Sequence, residues 1–319
     1  MSEISIGLVG CGAVVHLNYA MALLGRTRYK VRWVTDLIPA QAESAADLFG
    51  ATVSTLGEIA EHADAVIIST PPRSHADLVR ACLRPGRTIL CEKPFTTSRA
   101  AAEALVEAAT ASDTYLGVGH FRRTFPQVEL ARKLVGAGLI GPVNEISASE
   151  GGRFSWSAVS NYTASDPSGG VLWDTGSHTL DMALFAGCLD EDTSLAAHAI
   201  EVIRDRPEPS HDYAAKFKIA SAGGSISASL RLSRRQTLPN LISLTGSEGS
   251  LSFIAGLDRH VRIRTSSGSI VLTSDAPDNG FFAMVDVQVK RIMLKRNRDA
   301  FAARRFVGQV ALLDELSNV

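Results

Sequence analysis

The hydrophobic pattern changes period along the chain. Ile4–Val9 is a short apolar run, followed by a glycine turn and a helical stretch through about Leu24. Val31–Thr35 reads as a strand, Ala40–Phe49 as a helix, Ala65–Ser69 as a buried strand and Ser74–Leu83 as a helix. Thr88–Cys91 is another strand, and Ser98–Ala111 is an alanine-rich helix with Glu103 and Glu107 one turn apart. Tyr115–Gly119 gives a further strand. Strands alternating with helices of this length predict a parallel sheet covered on both faces. The pattern then changes. After a helix at Gln127–Gly136, Gly141-Pro142 marks a turn before a strand at Val143–Ser149, and Gly169-Gly170 introduces one more helix. Beyond Ala196 a period of two takes over, with Tyr213, Ala215, Phe217 and Ile219 on one face and then Ile226, Ala228, Leu230 and Leu232. Leu241–Thr245, Leu251–Ile254, Val261–Arg264 and Ile270–Thr273 continue the series. Such strands predict an antiparallel sheet with one face on a core and one more polar. Helices at about Phe282–Lys295 and Asp299–Leu316 close the chain, and the change of pattern divides it near Phe121, into residues 1–121 and 122–319.

Composition narrows the functional classes. A chain of 319 residues suits two cores. A formal net charge of -1 supplies no broad field for nucleic acid or an anionic membrane. The basic residues from Lys290 to Arg305 alternate with Ile292, Met293, Leu294 and Phe301, so they read as the solvated face of amphipathic helices. The apolar runs are too short to span a bilayer, and Ser2-Glu3 lack the basic start of a signal peptide. A cytoplasmic protein is expected. Cys11, Cys82, Cys91 and Cys188 have no zinc or redox spacing and are expected as buried thiols, Cys11 being the exception in exposure.

The first chemical signal is the turn after the first strand. Gly10 allows a tight turn, Gly12 removes a side chain where a pyrophosphate must approach, and Ala13 and Val14 open a helix whose N-terminal amides face that anion. Val15 stands where the third glycine of the dinucleotide fingerprint would be, a packing position. The next strand ends in Asp36, whose carboxylate suits ribose hydroxyls and repels a 2′-phosphate. Leu37 and Ile38 follow without an arginine, which favours NAD over NADP. Two further turns lie at strand ends: Thr70-Pro71-Pro72 with His75 after it, and Glu92-Lys93-Pro94. Open sheets of this kind bind ligands at the carboxyl ends of their strands, and a lysine there can meet developing alkoxide charge. Asp174 and His178 are four apart, so on a helix their β-carbons lie about 5–6 Å apart on one face, with Asp181 beyond them. A histidine beside a carboxylate suits general acid–base work. The same three side chains could be read as metal ligands, but no cysteine, paired histidine or fourth ligand supports that, and no metal is expected.

Taken together, the glycine turn, Asp36, Thr70-Pro71 with His75, Glu92-Lys93-Pro94 and the later Gly169–His178 segment resemble the glucose–fructose oxidoreductase, inositol dehydrogenase and rhizopine-catabolism (Gfo/Idh/MocA) family. The resemblance implies an α/β fold, an N-terminal Rossmann domain followed by an α/β domain whose large, mostly antiparallel open sheet often forms an oligomer interface. A homodimer or homotetramer is therefore expected. It also implies that Lys93 sits by the nicotinamide and substrate oxygen, that His178 exchanges the hydroxyl proton, and that Asp174 contacts substrate or orients the ring. The expected substrate is a polyol, sugar, cyclitol or keto-sugar. His120, Arg122, Trp156, Asn161 and Trp173 are the candidates for binding it, because aromatic and hydrogen-bonding groups together suit a polyhydroxylated ring. A non-catalytic dinucleotide sensor of the same fold, or a glycosidase that uses bound NAD without net redox change, are the alternatives.

Overall fold

The computed structural model describes residues 3–153, 166, 169–205, 209–256, 258–275 and 280–319, with the backbone alone for residues 280–282. The chain forms two compact units. The first takes residues 1–121 and also residues 279–304. Its strands are β1 (Ile4–Val9), β2 (Tyr29–Thr35), β3 (Thr52–Val53), β4 (Ala65–Ile68), β5 (Thr88–Cys91) and β6 (Tyr115–Val118). They form one sheet in the order β3-β2-β1-β4-β5-β6, every neighbouring pair parallel. Every residue of β4 and β5 is buried, as strands covered on both faces require. The order reverses between β1 and β4, and that switch point is where an open parallel sheet leaves a crevice at its carboxyl ends.

The helices of this unit follow the expected pattern with two additions. β3 and the helix Leu56–His62 were not anticipated, although Thr55 and Glu58 carry the helix's capping box in plain sequence. The return of residues 280–304 is the larger difference from a single division after Phe121. Helix Gly280–Met293 places Asp286 2.8 Å from Arg26, and Gln288 donates to the Val118 carbonyl at 2.9 Å. The expected helix over Asp299–Leu316 is broken: single turns at Arg298–Phe301 and Ala303–Phe306 flank Ala302, which is extended and bridges to Gly117. The Arg298 guanidinium lies 3.9 Å from the Tyr115 ring centre, and the Tyr115 hydroxyl donates to the Arg298 carbonyl at 2.6 Å. These contacts cover the β6 edge.

The second unit is built on an eight-stranded sheet. Its strands are β7 (Val143–Gly151), β8 (Ala196–Arg204), β9 (Asp212–Ser221), β10 (Gly224–Ser233), β11 (Leu241–Gly246), β12 (Gly249–Ile254), β13 (His260–Thr265) and β14 (Gly268–Thr273). The order is β14-β13-β12-β11-β7-β10-β9-β8, antiparallel except for the central β7–β10 pair. The period of two seen in sequence places Ile226, Ala228, Leu230 and Leu232 in the core and turns Ser225, Ser227 and Arg231 outward. Helix Ser177–Ala186 is buried along its whole length against this inner face. Beneath it, Arg123 binds both oxygens of Asp181 through Nε at 3.0 Å and reaches Asp190 at 3.0 Å, its guanidinium stacked 4.0 Å from the Phe306 ring centre.

Candidate active site

At the end of β1, Gly10 has φ +88°, and a β-carbon there would lie 2.7 Å from Thr70 Cγ2 and 2.8 Å from the Ser69 carbonyl. Backbone conformation and space both demand glycine at that point. Gly12 is different. A β-carbon on it would meet only Gln41 Oε1, at 3.6 Å, so the fold itself makes no demand for glycine there. Open space above a turn that leads into a helix fits the approach of a pyrophosphate. Ala13 and Val14 are half-buried where that helix opens, and Val15 is fully buried, as its packing position requires.

Asp36 is oriented for the same ligand. Its Oδ2 accepts from the Cys11 amide at 2.7 Å and its Oδ1 from the Ile38 amide at 2.8 Å, which ties the carboxylate to the glycine turn. Leu37 beside it is fully exposed. Gln41, in the first turn of helix Pro39–Phe49, is the side chain nearest Gly12 and was not among the expected residues. Its position on the helix after Asp36 was the available clue. Cys11 corrects an expectation: it is fully buried, and burial pushes its thiol up to about 12. The exposed cysteine is Cys188, turned outward just beyond helix Ser177–Ala186 in a left-handed conformation at φ +58°.

The turns after β4 and β5 are fastened to each other by His75. It is fully buried, with Nδ1 3.0 Å from the Pro94 carbonyl oxygen and Nε2 2.8 Å from that of Thr70. Burial lowers its pKa against the pull of those carbonyls. His75 therefore holds Thr70-Pro71 and Lys93-Pro94 together from within the first turn of its helix. The Lys93-Pro94 peptide is cis, and Lys93 itself is half-buried. Glu92 likewise acts inward: its Oε1 accepts from the Tyr19 hydroxyl at 2.6 Å and its Oε2 from the Lys93 amide at 3.0 Å.

In the second unit, Asp174 sits in a wide turn, Leu172–Gly176, that leads into helix Ser177–Ala186, with His178 one turn on and 6% exposed. Arg234 Nη2 donates to Asp174 Oδ2 at 2.8 Å. Asp181 does not join them, being engaged by Arg123. Arg122 donates to both oxygens of Glu150, at 2.7 and 2.9 Å, and the Thr179 hydroxyl donates to Glu150 at 2.6 Å. Glu150 and Arg234 were missed in sequence, yet each continues the inward period of its strand, after Ile146 and Ala148 and after Leu230 and Leu232. A charged side chain on a core-facing register is the signal that would have found them. His120 is fully buried, and Trp173, at 7% exposure, is as enclosed as His178. Trp156 and Asn161 lie outside the described residues. Among the described residues no cluster of three histidine, cysteine or acidic side chains could hold a metal, and no helix is long and apolar enough to cross a membrane.

Known proteins share both domains of the chain. Residues 4–120 match the model of an oxidoreductase family with an NAD-binding Rossmann fold, and residues 128–252 match the GFO/IDH/MocA C-terminal domain. An inositol 2-dehydrogenase of Rhizobium meliloti (strain 1021) is 30% identical over 279 residues, covering 83% of this chain and 79% of the relative. The rhizopine catabolism protein MocA of Rhizobium meliloti is 29% identical over 188 residues, covering 57% and 56%. Two solved structures share the fold. An oxidoreductase from Agrobacterium radiobacter in complex with NAD+, L-tartaric acid and magnesium has a TM-score of 0.76 at 19% identity, over 98% of this chain and 95% of that one. KijD10, a 3-ketoreductase from Actinomadura kijaniata in complex with NADP and TDP-benzene, has a TM-score of 0.76 at 21% identity, over 98% and 96%. With both of its domains matched in order, the chain belongs to the GFO/IDH/MocA oxidoreductase family and carries that family's NAD-binding domain.

Proposed function

We propose that the chain is an NAD(H)-dependent dehydrogenase that moves a hydride to or from a carbon bearing a hydroxyl or carbonyl group on a sugar, cyclitol or nucleotide-linked sugar. The observation that carries the reading is Asp36, held by two amides beside the open space over Gly12. A carboxylate so fixed accepts from ribose hydroxyls, whereas a 2′-phosphate would meet like charge with the apolar Leu37 beside it and no cation in the Asp36-Leu37-Ile38 segment. NAD is therefore favoured over NADP. Bound NAD supplies the hydride acceptor or donor. In the oxidative direction His178 takes the hydroxyl proton, Lys93 stabilises the negative charge that grows on the oxygen, and Asp174, itself held by Arg234, positions the substrate or the imidazole. The named activities of the inositol 2-dehydrogenase relatives support a polyhydroxylated substrate.

The test is NADH formation or consumption across a panel of sugars, cyclitols and keto-sugars. Lys93→Ala and His178→Ala should each lose about 10²–10⁴ in kcat while still binding NADH by fluorescence titration. Parent-like turnover in either purified variant removes that residue from the mechanism. A sensor would be silent on every substrate, and a glycosidase would cleave a chromogenic glycoside with no net change in NADH.

A further inference from the structure

The mechanism leaves one polar pair unused, a buried tyrosine and a half-buried glutamate. Tyr19 ends the wide first turn of the helix after the glycine turn, where the Ala20 amide bonds back to Val15, five residues earlier. Turns of this kind are tolerated mostly where they place a particular side chain. Here the side chain is the Tyr19 phenol, 1% exposed, whose hydroxyl lies 2.6 Å from Glu92 Oε1. The other Glu92 oxygen accepts from the Lys93 amide, and a β-carbon at Gly119 would lie 2.9 Å from the carboxyl carbon and both oxygens. The carboxyl group thus fills the space that glycine leaves at the ends of β5 and β6, and it is held there by two donors.

We propose that Tyr19 is a positioning residue for Lys93: by donating to Glu92 it keeps that side chain an ionised double acceptor, and so fixes the turn that carries the lysine. The chemistry of the donors requires this. A peptide amide can only donate, so Oε2 must accept. Burial, with Glu92 alongside, raises the phenol well above its ordinary range, so Tyr19 stays protonated and donates to the ionised carboxylate at Oε1. Burial pushes the Glu92 carboxyl up, while the Tyr19 hydroxyl and the amide and charge of Lys93 pull it down. The buried Cys91 thiol also lies beside Glu92, and burial raises it well above its ordinary range. With the phenol gone, Glu92 takes up a proton at a higher pH. Its proton then sits on Oε1, and Oε2 accepts from the Lys93 amide only as a neutral, weaker partner, which loosens the turn. The helix that would meet the cofactor phosphates is thereby linked to the lysine that would meet the substrate. The inference rests on the proposed role of Lys93, but its structural core does not depend on catalysis.

The experiment is an infrared pH titration of Tyr19→Phe, Glu92→Gln and the double variant, without cofactor, beside the pH dependence of kcat/KM. Tyr19→Phe should show a protonated-carboxyl band about one pH unit or more above its position in the parent, and the double variant should lack it. The acid limb of kcat/KM should move up with it, kcat should recover toward the parent value on its plateau, and NADH affinity should stay within about twofold of the parent. An unmoved band and an unmoved acid limb overturn the proposal. If the parent turns over nothing, the dehydrogenase reading fails while the infrared titration still decides the Tyr19–Glu92 link. Should Tyr19→Phe not fold, Glu92→Gln in the otherwise unaltered chain decides: a fall in kcat with intact NADH binding supports the link, and parent-like kcat and pH profile overturn it.

Discussion

Single residues carry the cofactor argument, and the two glycines of the turn separate its parts. Gly10→Ala forces a positive φ and a clash with Ser69 and Thr70, so it should lower stability as well as NADH binding, the former by about 1–3 kcal/mol. Gly12→Ala should leave the melting temperature near that of the parent and weaken NADH alone, because its new methyl group meets only Gln41. Paired melting curves and NADH titrations check both, and a strongly destabilised Gly12→Ala would show that the open space has a structural purpose. The positions of Asp36 and Lys93, just beyond β2 and β5, were legible in sequence because local pattern fixes where those strands stop. Gln41, Glu150 and Arg234 were not, because their roles depend on neighbours far along the chain.

At the scale of elements, the short apolar runs gave β1 and β5 their bounds, and the strict period of two gave the inward faces of β9 and β10. What escaped was short or set by tertiary pairing: the two-residue β3, and the extended Ala302 that interrupts a helical pattern because Gly117 offers it a bridge. Helix packing in the second unit turns on Arg123, which joins the segment before helix Pro126–Gly136 to Asp181 of helix Ser177–Ala186. Burial pushes the Asp181 carboxyl up to about 6, with the Arg123 guanidinium pulling the other way. That lies above the value of about 3.9 for an unfolded aspartate, so the folded chain takes up the proton first as pH falls. The group's contribution to stability therefore rises as pH drops from about 6 to about 4 and is least above that window. Arg123→Leu leaves Asp181 without this partner and should destabilise the protein by about 3–5 kcal/mol near neutral pH. The deficit should shrink as pH falls, because the stranded carboxyl protonates more readily than in the parent. Denaturant titrations of parent and variant at several pH values measure it, and a deficit that grows on acidification would contradict the assignment.

For the whole molecule, the change of hydrophobic period told that two architectures follow one another, and both are present. It could not tell that residues 280–304 rejoin the first unit, since an amphipathic helix advertises an apolar face and not which sheet it will cover. The return lies on the sheet whose switch point carries Gly10, Asp36 and Lys93, so the cofactor unit is completed from both halves of the sequence. The claim on which the account depends is that this unit binds NAD through Asp36. Titrating the parent and Asp36→Ser with NADH and with NADPH, followed by protein fluorescence, tests it most directly. The account predicts saturable NADH binding at least about tenfold tighter than NADPH in the parent, with the gap narrowed or reversed in the variant. Tighter binding of NADPH to the parent, or an Asp36→Ser protein with an unchanged preference, would contradict it.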